Sequence, residues 1–190
     1  MIQAIAAGGQ QNYEPMPATA RKLVRPVLVD PAFEDPSLML DLINRNSPYL
    51  QTASRNGNKA GKTSLEPWFR GTLAANEEPL VDGVEPAFRN PKFIAAAKEC
   101  FGVDIIRPLS LTINLYAPMP AGRKHVDAPY FRGAMDRRLG GIRYAMEVSG
   151  LFRQWEVLGA SAIAWFYEGE GGNLDYWPDG PDQPHATIPM

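Results

Sequence analysis

Residues 111–133 read LTINLYAPMPAGRKHVDAPYFRG, and how this stretch is read decides the fold. Its first part belongs to a β-type run, Leu109 to Tyr116, followed by a turn rich in Pro and Gly. Further runs of strand character follow: Ile142 to Val148, Ala160 to Tyr167 and Asn173 to Trp177, with Val103 to Ile106 ahead of them. Upstream the periodicity is helical. Asp35-Pro36-Ser37 opens one helix, whose stripe is Leu38, Leu42 and Ile43 and which stops at Asn46 to Pro48. Asn90-Pro91 opens a second, with Phe93, Ile94, Ala97 and Phe101 on one side and Gly102 at its end. Val24 to Val29, broken by Pro26, reads as an edge strand, and the Asn-, Gly- and Lys-rich stretch 51–62 as a loop or lid. Helices first and strands afterwards predict an α+β fold in one domain over residues 1–190. A helical and irregular region, 1–102, would lead into a β core, 103–190.

Within that core, His125 and Asp127 stand two apart. On extended backbone two such side chains leave the same face about 7 Å apart, so one imidazole and one carboxylate can share a metal ion. A third ligand from another strand would complete a facial triad with open positions, the coordination of non-haem iron. A bare His-x-Asp is a weak signal, since a histidine pairing with an aspartate on a surface turn has the same spelling. The neighbourhood strengthens it. Asn114 and Tyr116, also two apart, can face the same cavity, and an amide with a phenol suits a bound dicarboxylate.

Asn-x-Tyr, a glycine-containing turn and His-x-Asp together resemble the first strands of the double-stranded β-helix in iron(II)- and 2-oxoglutarate-dependent dioxygenases. A second likeness lies in residues 162–177, AIAWFYEGEGGNLDYW, where Gly171, Gly172, Asn173 and Leu174 match that superfamily's central Gly-Gly-x-Leu hairpin. Glycines there allow positive φ in a tight turn. The resemblance covers residues 109–180. It implies a jelly-roll or cupin-like core with helices packed on it, and Fe(II) held by His125 and Asp127. It also implies 2-oxoglutarate held by Asn114 and Tyr116, and oxidation of a small-molecule or side-chain substrate with release of succinate and CO2.

The resemblance further implies about three more strands, carrying a distal histidine and a basic anchor for the co-substrate. The chain ends at Met190, so the expectation is an incomplete barrel, truncated at its C-terminus, with open edges through which it could oligomerise. His185, the other histidine, sits in a Pro- and Asp-rich stretch and reads as a poor third ligand. Trp165, Phe166, Tyr167, Tyr176 and Trp177 read as filling between sheets, with substrate stacking open for Trp177. The competing reading from another class is a non-catalytic β-sandwich binding module, or an inactive fragment of such an enzyme. A cupin-type metal enzyme without 2-oxoglutarate would want more than the two histidines present.

Composition narrows the field. An apolar fraction of 45%, a charged fraction of 21% and a net charge of -2 are those of a globular domain and argue against nucleic acid as partner. Arg132, Arg137 and Arg138 read as a solvated face, and GNKAGK at 57–62 lacks the spacing of a phosphate loop. The single cysteine, Cys100, follows an apolar run and reads as a reduced core thiol, which fits the cytoplasm. No window has the ~20 apolar residues of a membrane span, and the apolar start, Met1 to Gly9, lacks a basic leader.

Overall fold

The computed structural model describes residues 2–6, 25–51, 69–116, 124, 127, 129–136, 139–166, 170–180 and 182–189. Ten strands occur among them: β1 (Ile2–Ala6), β2 (Leu50–Gln51), β3 (Phe69–Ala75), β4 (Glu78–Pro79), β5 (Ile106–Leu115), β6 (Tyr130–Phe131), β7 (Glu156–Val157), β8 (Gly159–Ala162), β9 (Leu174–Tyr176) and β10 (Ala186–Ile188). The helices are α1 (Pro36–Arg45), α2 (Glu85–Phe88), α3 (Pro91–Phe101) and α4 (Gly140–Ser149). The architecture is α+β with antiparallel sheets.

Helix ends form where the sequence carries caps. Asp35 accepts from the Ser37 amide at 2.9 Å and Pro36 takes the first turn of α1, where its missing N–H costs nothing. Asn90 accepts from the amides of Lys92 (2.9 Å) and Phe93 (3.3 Å) to start α3, and Gly102 ends it with φ 63°. The Asn90 amide also donates to the Ala32 carbonyl at 2.9 Å, tying the α3 cap to the segment before α1.

The main sheet runs β2-β3-β5-β1-β8, with β4 turned back onto β3, and every pairing is antiparallel. β3 and β4 are joined by Asn76 and Glu77, both left-handed (φ 54° and 71°), the two-residue turn whose twist matches a hairpin. β6–β7 and β9–β10 are separate two-stranded ribbons. The sheet draws strands from both sides of residue 102, since β1 and β3 flank β5. One face of it carries the core: Leu73, Ala74 and Leu111 meet Met39 and Leu42 of α1 and Val84, Ala87 and Phe88 at α2.

Five expectations need correction. Of the run Val103 to Ile106 only Ile106 lies in a strand, as the first residue of β5. Ile142 to Val148 is not a strand but the body of α4, closed by Gly150 in the left-handed region (φ 67°). Among the described residues, 25–29 form no strand; Pro26 removes a ladder donor there. β8 covers only Gly159–Ala162 of the predicted 160–167, and it pairs with β1, whereas β9 pairs with β10, so the two do not form a hairpin with each other. Gly171 and Gly172 nevertheless adopt the expected positive φ, 88° and 73°. The aromatics near the C-terminus do not fill the core: Trp165, Tyr176 and Trp177 are half-buried and Phe166 is exposed, resting on Phe33 at 5.8 Å. Tyr167, and most of the 51–62 loop, lie outside the described residues.

The short pairing of β2 with β3 depends on a glycine. The Tyr49 ring lies where a Cβ on Gly71 would stand, and its hydroxyl donates to the Ile43 carbonyl of α1, so the ring cannot swing away without losing that bond. Gly71→Ala is therefore expected to destabilise the fold by about 1–3 kcal/mol, measured by urea unfolding; an unchanged midpoint would show the ring to be free to move.

Candidate functional site

The face of the main sheet opposite the core is polar by register. Arg70 pairs with Asn114 and Thr72 with Thr112 across β3 and β5, while Gln3 of β1 pairs with both Ser110 and Ser161. Residues paired across antiparallel strands project to the same side. Arg70, Thr72, Ser110, Thr112, Asn114 and Ser161 therefore share one face, and Leu111, Ile113 and Ala162 the other. Ser110 and Thr112 are buried, Arg70, Thr72 and Asn114 are half-buried and Ser161 is exposed, so the middle of this polar row lies under cover.

The cover is a second layer. Leu109 sits at a bulge, where Gln3 and Ala4 pair with Ser110 and Pro108, and it escapes the alternation. It packs with Tyr130 of β6, Met135 and Val157 of β7, a cluster separate from the helical core. Asp127, just ahead of β6, accepts from the Ser161 hydroxyl through Oδ2 at 2.6 Å, which fixes the aspartate above β8. α4 closes over β6, with the Arg143 guanidinium 4.1 Å from the centre of the Tyr130 ring.

Of the residues singled out in the sequence, Asn114 and Tyr116 lie together at the end of β5. Arg70, which sequence reasoning missed, joins them: its Nε donates to Asn114 Oδ1 at 2.9 Å, and its charge acts on Tyr116. Although Tyr116 is more than half exposed, desolvation around the phenol pushes its pKa up and the Arg70 guanidinium pulls it only partly back. The hydroxyl thus stays a donor through the neutral range. Guanidinium, phenol and amide together make a set that recognises a carboxylate. The signal for Arg70 was weak: a lone arginine in a short run, FRGTLAA, whose partner strand lies over forty residues away.

Asp127 does not adjoin that set. Ser161 and Asn114 are two strands and four residues apart on the sheet, on the order of 15 Å between backbones. His125 lies outside the described residues, as do Arg137 and Arg138; Arg132 is exposed. Lys124, one residue before His125, has its Nζ 4.9 Å from the centre of the Trp177 ring, and that ring lies 5.7 Å from the ring of His185. His185 Nε2 is 3.9 Å from Asp175 Oδ1, which also accepts from the Thr187 hydroxyl at 2.7 Å. The β9–β10 ribbon and His185 are thus brought beside the start of the His-x-Asp segment. Among the described residues no three His, Cys, Asp or Glu side chains gather as a metal site, and no helix is long and apolar enough to cross a membrane. The Cys100 thiol is half-buried, and burial together with Glu99 pushes its pKa up, away from thiolate chemistry.

The chain matches no protein-family model, and no curated protein or solved structure is significantly similar to it.

Proposed function

We propose that the chain carries a non-haem Fe(II) site of the 2-oxoglutarate-dependent type, in a cytoplasmic oxidoreductase whose two layers belong to a double-stranded β-helix. His125 and Asp127 hold the metal, and Asn114 and Tyr116 hold the co-substrate. The observation that carries the reading is the Arg70–Asn114 hydrogen bond beside Tyr116. It supplies the basic group that a dicarboxylate needs, on the same polar face to which Ser161 ties Asp127. The backbones of the two groups stand apart, a gap suited to long side chains with a five-carbon diacid between them. Bound there, Fe(II) would supply dioxygen activation coupled to oxidative decarboxylation of the 2-oxo acid. The protein groups orient the diacid: Arg70 and Tyr116 donate to a carboxylate, and Ser161 orients Asp127.

The second reading, a metal-free binding module on the same scaffold, is favoured by one contact: the Asp127 carboxylate already has a protein donor in Ser161. The two are separated by anaerobic titration with Fe(II) and 2-oxoglutarate, following the visible charge-transfer band. The oxygenase reading expects a band that needs both additions and vanishes in His125→Ala. Arg70→Met is expected to weaken 2-oxoglutarate binding by about 10–100-fold while leaving Fe(II) binding unchanged, as loss of a charged hydrogen-bond donor does. His185→Ala asks whether that ring supplies the third ligand. Well-folded protein that gives no band sinks the oxygenase reading and leaves the binding module.

A further inference from the structure

Arg143 stands apart from every role described above. It is only 6% exposed, and neither its Nε nor its Nη1 has a hydrogen-bond partner. Among the described residues no carboxylate pairs with it. The Tyr130 ring covers one face of the guanidinium, a cation–π contact that steadies the charge and leaves the Nε and Nη1 N–H groups unused. Arginine stays protonated in proteins, so burial cannot be relieved by losing the proton. A buried charge without an anion is costly, and a planar fork of N–H groups matches a planar carboxylate. The alternation of residues 142–148 does not demand the burial: α4 leaves Ile142, Tyr144 and Val148 in solvent and turns the arginine inward.

From this arrangement we infer that Arg143 is a binding site for the carboxylate of a small organic acid, seated against Tyr130 between α4 and β6. The site does not depend on iron. The acid contributes two oxygens to the guanidinium edges, beside the Tyr130 ring. It is distinct from the Arg70 set, which sits on the main sheet itself.

The test uses the intact chain without metal and two readouts. In arginine Nε–H nitrogen-15 spectra, acetate and succinate at constant ionic strength are expected to shift saturably one resonance that is missing in Arg143→Lys. In thermal unfolding of the Arg70→Met variant, where the main-sheet set is disabled, a tenfold excess of succinate over its Kd should raise Tm by about 4 °C, and adding Arg143→Met should abolish that rise. A resonance that moves equally with chloride, or a Tm rise that survives the added Arg143→Met, overturns the proposal. So does a response to inorganic phosphate with none to carboxylates, which would reassign the site to a different ligand. Should the lysine variant not fold, the spectra of wild-type protein decide alone: saturable carboxylate shifts of a slowly exchanging Nε–H support the site, and unmoved spectra refute it.

Discussion

Phe88→Ala should lower the unfolding free energy by about 3–5 kcal/mol, the largest stability effect expected from a single side chain here. Phe88 is 1% exposed and sits where α2 joins α1 and the sheet, in contact with the cluster of Leu42, Leu73, Val84 and Leu111. Its removal leaves a cavity that short, separately anchored elements cannot collapse to fill. α2 spans only Glu85–Phe88 and is followed at once by the Asn90 cap of α3, so its backbone has little room to follow. Equilibrium urea denaturation followed by tryptophan fluorescence checks the figure. A loss below about 1 kcal/mol would mean that the helices repack, and that the core is less specified than its burial indicates.

The second large effect concerns the metal reading. Asp127→Ala should cost more than about 100-fold in Fe(II) affinity, since outer-shell partners alone are worth 10–100-fold. Ser161→Ala, which removes the hydroxyl that donates to Asp127, should fall in that 10–100-fold range. Both side chains are exposed, so neither change should alter the unfolding midpoint. Anaerobic equilibrium dialysis with Fe(II) measures both. If Ser161→Ala binds as well as the parent and Asp127→Ala loses nothing, Asp127 serves only as a hydrogen-bond acceptor for β8.

What could be read from the residues divides along physical lines. The α1 and α3 boundaries were legible because caps are local: Asp35-Pro36 and Asn90-Pro91 act on amides two or three residues away. β5 was legible because its alternation is strict over eight residues. α4 was misread for the same reason. Ile142, Tyr144, Met146 and Val148 alternate with Arg143, Ala145 and Glu147, which is a strand's spelling. Yet Arg, Ala, Met and Glu are good helix formers, and Gly150 offers a stop. The helix leaves most of that apolar row in solvent and buries the arginine, so local propensity and the cap prevailed over pattern. β1 and β3 were missed because each finds its partner far along the chain, and a short apolar run does not say with what it pairs. Arg70 was invisible for that reason too, while Asn114, Tyr116 and Asp127 could be named because their spacing is local.

The placement of β1 also bears on how the chain is made. β1 pairs with β5, about 100 residues later along the chain, and with β8, more than 50 residues after that, so it is synthesised well before either partner. At ordinary translation rates of roughly 5–20 residues per second, Ile2 to Ala6 waits several seconds or more for its first neighbour. During that interval an apolar segment must be kept from other nascent chains. During synthesis, the order in which this sheet can close is thus set by the position of its strands along the chain as much as by the chemistry of its residues.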